Sequence, residues 1–366
     1  MNVFYIPEPQ PPKEIAKSLL TSFDIEIDQL IGASRARSQF RVSGAGLCAA
    51  VLDTGLRSSH ECFAGRVVPG RNFTAQDGGD PARTDDHNGH GTNVAGLIAA
   101  GTDDERRGIA PAARIVPLKV LPGGFDGIVA ALTWVRDADP ALRISVANLS
   151  LGVPGLNFDS DTAIANQMPE LVALLAQLRE MRIAVVIAAG NDYYSHQREG
   201  MSVPAILRQC LAVGAVYDAS VGPRSYQSGA TAYSTQADHI TPFTQRLSIE
   251  TSADCYTDIF APGAAATSAG HASDTATSVQ DGTSQAAPTV AGVILLMQEL
   301  HLRLTQELPS IDLISDCLRS SAQWIVDGDD EDDNVVNTGR RYPRVDAFRA
   351  LATMHKRLQL EAGGIA

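Results

Sequence analysis

Ser284 is the first residue whose type and setting suggest chemistry. It follows Gly282 and Thr283 and precedes a run of small and apolar residues up to Met297, which predicts a buried helix. A hydroxyl group at the start of such a helix lies near unpaired backbone N–H groups and the positive end of the helix dipole, where a developing oxyanion would be stabilised. We therefore interpret Ser284 as a candidate nucleophile, although a lone serine before a helix is more often an N-cap.

Two further residues could activate this hydroxyl group. The short apolar run 46–52 predicts a buried parallel strand, and it ends at Asp53. His90 lies in a glycine-flanked turn that precedes another run of small residues, which predicts a helix. A carboxylate that orients an imidazole, and an imidazole that accepts a proton from a hydroxyl group, together make a serine nucleophilic.

The order Asp53, His90, Ser284 and the sequences around these residues resemble the subtilisin-like serine proteases, the subtilase family. The resemblance covers roughly residues 40–355 and rests on several separate motifs. The motifs are Val51-Leu52-Asp53-Thr54-Gly55, His90-Gly91-Thr92, Asn148-Leu149-Ser150-Leu151-Gly152, Ala188-Ala189-Gly190-Asn191, Phe260-Ala261-Pro262-Gly263, Gly282-Thr283-Ser284 and Tyr342-Pro343-Arg344-Val345-Asp346-Ala347.

The resemblance implies which residues would carry the reaction. Asp53, His90 and Ser284 match the catalytic triad of the family, and Asn191 matches its oxyanion-hole asparagine. The chain departs from the family's usual residues next to the nucleophile and the catalytic histidine, at positions that do not break bonds. These positions are Gln285, Ala287 and Thr289, in place of methionine, serine and histidine, and Asn93, in place of a second histidine.

The resemblance also implies where a substrate would bind. Ser150, Leu151 and Gly152 match the strand that pairs with the substrate backbone, and Gly123 with Gly124 match the second pairing edge. An extended peptide between these edges is therefore expected. Asp192 and Glu199 lie in the segment that lines the primary specificity pocket of the family, so we expect tolerance for Lys or Arg before the scissile bond. The alternative is that both carboxylates are solvated loop charges.

The elements that would position these residues alternate between strand and helix from residue 46 onward. This alternation predicts an α/β fold with a doubly wound, mostly parallel sheet and helices on both faces. Candidate residues follow several strands, and the carboxyl ends of parallel strands line one crevice. The predicted strands are 114–120, 143–149, 183–189 and 210–216; the predicted helices are 126–137, capped by Asp126, and 171–181.

The chain is interpreted as one protease domain with two flanking segments. Residues 1–40 form an N-terminal extension, residues 41–356 the subtilisin-like domain, and residues 357–366 a C-terminal tail. Within the extension, residues 14–31 predict a weakly amphipathic helix. We hypothesise that residues 1–20, which are rich in proline, inhibit the enzyme in cis; the alternative is a tail without this role.

Composition excludes several classes of function. With 29 Lys and Arg against 42 Asp and Glu, the formal net charge is −13, which argues against a nucleic-acid or anionic-membrane surface. The N-terminus lacks the pattern of a secretory signal, and no apolar run reaches the length of a membrane-spanning helix. Five scattered cysteines favour free thiols in a reducing cytoplasm. The oligomeric state stays open.

The acidic run 327–334 is the main candidate for a metal site, because it contains six carboxylates in eight residues. Its spacing lacks the EF-hand pattern, so we interpret it as a solvated acidic insertion, with a structural calcium site as the alternative. The segment 101–108 corresponds to a calcium loop of the family, but its two arginines disfavour cation binding. We expect no catalytic metal and no cofactor.

These observations predict a cytoplasmic serine endopeptidase that hydrolyses protein or peptide substrates through an acyl-enzyme intermediate. It would act either in general turnover or in trimming one precursor or partner. Two alternatives remain: a catalytically silent or partner-activated peptide-binding scaffold, and an enzyme that transfers the acyl group to an amine.

Overall fold

The computed structural model of the chain describes residues 13–15, 25–101 and 107–363. The strands are β1 (Lys13–Ile15), β2 (Cys48–Asp53), β3 (Arg71–Asn72), β4 (Arg114–Lys119), β5 (Ile144–Leu149), β6 (Ala184–Ala188), β7 (Leu211–Val216), β8 (Arg224–Ser225), β9 (Thr231–Ala232), β10 (Ile259–Pro262), β11 (Ala266–Ala269), β12 (Thr277–Gln280), β13 (Gln323–Val326) and β14 (Arg341–Arg344). The helices are α1 (Ile25–Ile31), α2 (Ala33–Phe40), α3 (His90–Ala99), α4 (Phe125–Asp137), α5 (Thr162–Gln167), α6 (Pro169–Glu180), α7 (Tyr193–His196), α8 (Thr283–Thr305), α9 (Ile311–Ser320) and α10 (Ala347–Gly363).

The central sheet has nine strands in the order β13-β14-β10-β7-β6-β5-β2-β4-β3. All neighbouring pairs are parallel except β13 and β14, which form an antiparallel hairpin at one edge. Strand β2 lies between β4 and β5, so the strand order reverses next to it. The carboxyl ends of β2 and β5 therefore form the crevice at which open α/β sheets place their functional groups.

Helices cover both faces of this sheet, and strand β2 shows why. Its alternate side chains Ala49 and Val51 pack into one core with residues of α3, α8 and α10. Cys48, Ala50 and Leu52 pack into a second core with residues of α4 and α6. Every residue of β2 is buried, as the continuous apolar run predicts for a strand covered on both sides. The prediction of a doubly wound, mostly parallel α/β fold is confirmed.

A smaller antiparallel sheet has the order β1-β12-β11. Strand β12 ends at Gln280, shortly before Ser284. The strand β1 contradicts the prediction of one helix over residues 14–31, because Lys13–Ile15 are extended and paired with β12. Isolated propensity predicted the helix, whereas pairing with an available strand edge decides the conformation.

Helices α1 and α2 pack against the protease core. Ile27 and Ile31 of α1, and Ala33 and Ala36 of α2, are buried in the same core as residues of α8 and α10. At the other end of the chain, α10 continues past residue 356, so the predicted division between domain and tail lies inside a helix. Residues 364–366 lie outside the described residues.

One local prediction, the cap of helix α4, needs correction. The N-cap of α4 is Gly124 and no side chain caps it, so the predicted cap by Asp126 is wrong. Asp126 lies in the first turn, where a carboxylate still interacts favourably with the helix dipole.

Across the described ranges, no helix combines the length and the apolar character needed to cross a membrane.

Candidate active site

Asp53 occupies the carboxyl end of β2 and is fully buried. Its Oδ1 atom accepts a hydrogen bond from the backbone N–H of Thr54 at 2.7 Å and lies 2.7 Å from Nδ1 of His90. The strand and the turn after it therefore hold the carboxylate in one orientation. A carboxylate at this distance selects the tautomer in which Nδ1 carries the proton, which leaves Nε2 as the basic nitrogen of the imidazole.

His90 is the first residue of α3, and glycines on either side bring it close to Asp53. Gly89 has φ of 99°, a conformation that side chains rarely adopt. A Cβ atom on Gly91 would lie 2.2 Å from the carbonyl oxygen of Gly55, in the turn after β2. The glycine-flanked motif is therefore needed for the close approach of α3 to β2, which the pairing of Asp53 with His90 requires.

Asp86 organises this part of the site, and its role was not predicted from the sequence. The side chain is 8% exposed, and both carboxylate oxygens accept several hydrogen bonds. Burial tends to raise the pKa of Asp86, but these hydrogen bonds outweigh burial and hold the pKa below its usual range. The donors are the Thr54 hydroxyl (2.9 Å), the backbone N–H groups of Asn88 (3.0 Å), Gly89 (2.8 Å) and Thr92 (2.9 Å), and the Thr92 hydroxyl (2.6 Å).

These donors come from both sides of the Asp53–His90 pair. Thr54 directly follows Asp53, and its hydroxyl oxygen also accepts a hydrogen bond from the N–H of Gly91, next to His90. Asp86 thus connects the turn after β2 with the first turn of α3. Asp86 lies four residues before His90, and no pattern in the sequence distinguishes it from other aspartates. Its role is identified only by its contacts in the folded chain.

We expect Asp86→Asn to lower the free energy of unfolding by roughly 3 kcal/mol at pH 7, because an amide cannot accept all of these hydrogen bonds. A carboxyl group whose pKa is lowered by folding stabilises the protein above its unfolded pKa, about 3.9, and this contribution is lost as pH falls through the folded pKa. The difference between the native chain and the variant should therefore shrink from pH 7 to pH 3. Urea unfolding at several pH values measures it, and a difference independent of pH would contradict the assignment.

Ser284 lies in the first turn of α8, which begins at Thr283. Its hydroxyl group donates to the carbonyl oxygen of Ser150 at 3.4 Å, so among the described residues its hydrogen bond is not to His90. Pro288 lies inside the helix and has no N–H to offer the carbonyl oxygen of Ser284. The Ser150 hydroxyl satisfies that carbonyl instead, at 2.7 Å. The helix therefore starts before Pro288, and Ser150 supplies the donor that the proline lacks.

Asn191 follows strand β6 and is 5% exposed. Its Oδ1 accepts hydrogen bonds from the N–H (3.0 Å) and the hydroxyl (2.9 Å) of Thr283, the residue before Ser284. This leaves the Nδ2 group as the donor end of the amide. Nδ2 and the backbone nitrogen of Ser284 lie 3.1 and 3.4 Å from the point that a Cβ on Gly282 would occupy, so glycine at 282 keeps both donors accessible.

The segment Ser150–Gly152 follows β5, the neighbour of β2, and Gly123 with Gly124 follow β4 on the other side of β2. Leu151 is fully buried in the core, so this segment offers its backbone, not that side chain, to the crevice. Asp192 contacts the chain just after this segment: its Oδ2 accepts a hydrogen bond from the N–H of Gly155 at 2.7 Å.

Glu199 does not present a free carboxylate. It accepts hydrogen bonds from the N–H of Ser248 at 2.7 Å, from the Thr251 hydroxyl, and from the Tyr342 hydroxyl at 3.2 Å. Glu199 therefore joins three segments of the fold, and neither earlier interpretation, a pocket charge or a solvated loop charge, describes it.

Two of the residues that differ from the usual family pattern, Gln285 and Asn93, form a buried amide cluster with Gln280. Nε2 of Gln285 donates to Oε1 of Gln280 at 3.0 Å and lies 3.4 Å from Oδ1 of Asn93. Nδ2 of Asn93 donates to the carbonyl oxygen of Ser278 at 3.1 Å. Residues before and after Ser284 are thus linked to α3 by hydrogen bonds.

The acidic run is only partly solvated, so the interpretation of a solvated insertion is wrong for Asp327. Asp327 is 1% exposed and paired with Arg246. Carboxylate oxygens of Asp329, Asp330 and Glu331 lie within 4.8 Å of one another, and Asp329 and Asp330 are exposed. In the segment 101–108, residues 102–106 lie outside the described residues, so the structure does not describe the corresponding family loop.

The structure thus pairs Asp53 with His90 at the end of β2 and places Ser284 against the segment that follows the neighbouring strand β5. Comparison with known proteins gives the family. The model of the subtilase family matches residues 44–341, and the chain belongs to this family; by class it is a subtilisin-like serine protease.

Curated relatives are serine proteases by name. The chain is 30% identical to the intracellular serine protease of Paenibacillus polymyxa over 279 residues, 74% of this chain and 72% of that protein. It is 32% identical to the extracellular serine proteinase of Thermus sp. (strain Rt41A), over 81% of this chain and 61% of the relative. With the major intracellular serine protease of Bacillus subtilis (strain 168) it shares 33% identity, over 48% of this chain and 52% of the relative.

Proposed function

We propose that this chain is a serine endopeptidase in which Asp53, His90 and Ser284 form the catalytic triad. The observation that carries the proposal is the buried hydrogen bond of 2.7 Å between Asp53 and Nδ1 of His90. It prepares Nε2 as a base, and the amide of Asn191 is oriented by the residue next to Ser284. A chain that keeps these groups in this geometry is equipped for acyl transfer from a peptide bond.

The reaction would proceed in two halves. His90 Nε2 accepts the Ser284 proton as Oγ attacks the scissile carbonyl carbon, and Asp53 stabilises the imidazolium that forms. The Asn191 Nδ2 group and the Ser284 N–H donate to the oxyanion. His90 then protonates the leaving amine, and water hydrolyses the acyl-enzyme by the same route. Rotation about the Cα–Cβ bond of Ser284 redirects its hydroxyl group, since catalytic hydrogen bonds are often poorly aligned without substrate.

The substrate would bind as an extended strand between the Ser150–Gly152 segment and the Gly123–Gly124 turn. Support comes from the sheet order, because β5 and β4 flank β2 and the segments that follow them flank Asp53. Backbone hydrogen bonds on both sides give affinity that depends little on the substrate's side chains. General protein turnover and the trimming of one precursor or partner would both use this mode.

Intact-mass spectrometry tests the function. A fluorophosphonate probe should add once to the native chain and not to Ser284→Ala. With a peptide substrate and an excess of a primary amine, hydrolysis gives a free carboxylate product, whereas acyl transfer gives a product that carries the amine. A chain that neither reacts with the probe nor cuts the peptide would be a silent or partner-activated scaffold, and the proposal would fail.

We propose further that residues 1–20 inhibit the enzyme in cis. Residues 1–12 and 16–24 lie outside the described residues, and the support comes from strand β1. Lys13 pairs with Val279 and Ile15 with Thr277, so the N-terminal end of β1 lies nearer to Ser284 along the chain of β12. Lys13, the first described residue of β1, therefore pairs with the part of β12 that is nearer in sequence to Ser284.

Deletion of residues 2–20 is expected to raise the initial rate on a short peptide by about tenfold. A tethered inhibitor acts at an effective concentration on the order of millimolar, so even a weak complex keeps most sites occupied. The measurement is the initial rate at low substrate concentration, with a synthetic peptide of residues 1–20 added back as the control. An unchanged rate after deletion would refute inhibition in cis.

Asp192 is proposed to favour Lys or Arg before the scissile bond. Its Oδ2 is held by Gly155 at 2.7 Å, which fixes a partly exposed negative charge at one end of the pocket segment. Because such exposed ion pairs are weak, Asp192→Asn should reduce the preference for basic over aromatic residues by about threefold in kcat/KM. A peptide library at low and at 0.5 M salt (roughly a 4 Å screening length) measures this, and the high-salt preference of the native chain should approach that of the variant. An unaltered preference would assign specificity to other residues.

The remaining features of the proposal concern location and ligands. We propose a cytoplasmic enzyme without a catalytic metal or other cofactor, acting on proteins or peptides and not on nucleic acid. Two of the relatives are named as intracellular proteases, and the net charge of −13 disfavours nucleic-acid binding. All five cysteines lie within the described residues as buried free thiols, and burial raises the pKa of Cys48 to about 12.

A further inference from the structure

The turn that carries Asn191 is supported from behind by residues 243–246, which we call the backing segment. Two backbone hydrogen bonds connect them on either side of Asn191. They run from Gln245 N to the Gly190 oxygen (2.9 Å) and from Tyr193 N to the Phe243 oxygen (3.1 Å). The position of Asn191 relative to the crevice therefore depends on where the backing segment lies.

Arg246, at the end of the backing segment, is a buried charge stacked on the same turn. Its side chain is 1% exposed, and its guanidinium carbon lies 3.5 Å from the centre of the Tyr193 ring. Nε and the Nη2 group donate to the two oxygens of Asp327, both at 2.9 Å. Burial tends to lower the pKa of Arg246, and Asp327 more than offsets this effect. Paired in this planar geometry, the guanidinium has one defined orientation over the ring.

Asp327 opens the loop of the β13–β14 hairpin, residues 327–340, which we call the hairpin loop. One carboxylate oxygen of Asp327 also accepts the N–H of Thr338 at 2.6 Å, so the aspartate closes the loop on itself. The loop contacts the Asn191 turn directly at Val336. Its carbonyl oxygen accepts the Tyr193 hydroxyl at 2.6 Å, and its N–H donates to Oε1 of Gln197 at 2.7 Å.

We propose that the hairpin loop positions the Asn191 amide, with Asp327, Arg246 and Tyr193 as positioning residues. The loop fixes Tyr193 from two directions, through its hydroxyl group and through the guanidinium on its ring, and Tyr193 lies two residues after Asn191. An oxyanion-hole donor is effective only when it is held in place before the charge develops, so a rigid support behind it contributes to turnover. This inference rests on the proposed role of Asn191 as an oxyanion donor.

Asp327→Asn is the first test, because it keeps the shape of the side chain and removes the charge that orients Arg246. We expect kcat to fall by about 10- to 100-fold with KM changed less than twofold, since a small displacement of the donor affects the transition state more than substrate binding. Asp332→Asn is the matched control. It makes the same change of charge in the same loop at an exposed side chain, and it should leave kcat within twofold.

A double-mutant cycle with Asn191→Ala separates positioning from a general loss of stability. If Asp327 acts through Asn191, the double variant should have a kcat within twofold of that of Asn191→Ala alone. The same fold-loss in both backgrounds would overturn the inference while leaving the oxyanion role of Asn191 intact. No loss of kcat in Asn191→Ala alone would overturn that role, and the inference with it.

Thermal unfolding shows whether the variants are folded at the assay temperature. Should Asp327→Asn not fold, Tyr193→Phe carries the same cycle, because it keeps the ring beneath Arg246 and removes only the hydroxyl group that binds Val336. We expect a fall in kcat of about threefold to tenfold, again abolished in the Asn191→Ala background. Equal losses in the two backgrounds would refute positioning by this route as well.

Discussion

Ser284→Ala is expected to lower kcat by about 10⁶-fold, the size known for loss of the nucleophile in subtilisin. The reason is that alanine removes the hydroxyl group that faces the Ser150 carbonyl oxygen at 3.4 Å, while the neighbouring Thr283 hydroxyl is bound to Oδ1 of Asn191 at 2.9 Å. Residual activity above the uncatalysed rate would come from binding and from the oxyanion donors. KM should change little, because the substrate backbone is proposed to bind along Ser150–Gly152 and Gly123–Gly124 and not to the Ser284 hydroxyl group.

The measurement is the rate at which the purified variant, free of other proteases, cleaves a peptide. The native enzyme, whose active concentration is determined by titration with the fluorophosphonate probe, is the comparison. Ser320→Ala is a suitable control, because Ser320 is an exposed serine at the end of α9. It should retain the native rate. A Ser284→Ala variant that keeps more than about one-hundredth of the native kcat would assign the nucleophile to another residue.

Asp53→Asn has the second largest expected effect, a fall in kcat of about 10⁴-fold, as known for this substitution in a convergent triad on an unrelated fold. The carboxylate accepts from His90 Nδ1 at 2.7 Å inside the fold, where it is fully buried. An asparagine at the same place can donate its N–H to Nδ1, which favours the tautomer with the proton on Nε2. That tautomer cannot accept the Ser284 proton, so the base is lost while the geometry is retained.

The pH dependence of kcat/KM measures this effect, because the variant should lose the activity that depends on neutral His90 with a free Nε2. Asp254→Asn is the matched control, since the Asp254 side chain is 74% exposed. Native thermal stability with activity reduced by less than tenfold in Asp53→Asn would show that the hydrogen bond to His90 has no large part in catalysis.

The two predictions differ in what they require of the fold. The position of Ser284, in a turn before a buried helix, is visible in the sequence, although its proposed activation also requires His90. Asp53 needs α3 to approach β2 within hydrogen-bonding distance. Gly91 allows this approach, because a Cβ there would lie 2.2 Å from the Gly55 carbonyl oxygen. The sequence contained the glycine, but the reason for it became visible only in the packing.

Local pattern was sufficient for the fold class. A buried parallel strand is apolar along its whole length, and the strand before Asp53 has this pattern because both of its faces are covered. Alternation of such strands with helices leaves few possible topologies, since parallel crossover connections are right-handed. The fold class, the family and the candidate residues Asp53, His90, Asn191 and Ser284 were therefore accessible from the sequence.

The fate of individual charged residues was decided by tertiary structure. Asp327 lies in an acidic run that any reading of composition would place in solvent, yet it is buried against Arg246, 81 residues earlier in the chain. Glu199 and Asp86 likewise accept hydrogen bonds from residues that are distant in sequence, such as Ser248 and Thr54 respectively. Strand β1 formed where a helix was expected, because the edge of β12 was available.

The sequence by itself thus determined the class of fold and the candidate residues of the active site, because hydrophobic periodicity and short motifs depend on neighbours along the chain. Only the tertiary structure decided which carboxylates are solvated, which orient His90 and which support the Asn191 turn. Those outcomes depend on partners brought together by folding. A buried charge is stable only where such a partner exists, and no local pattern encodes it.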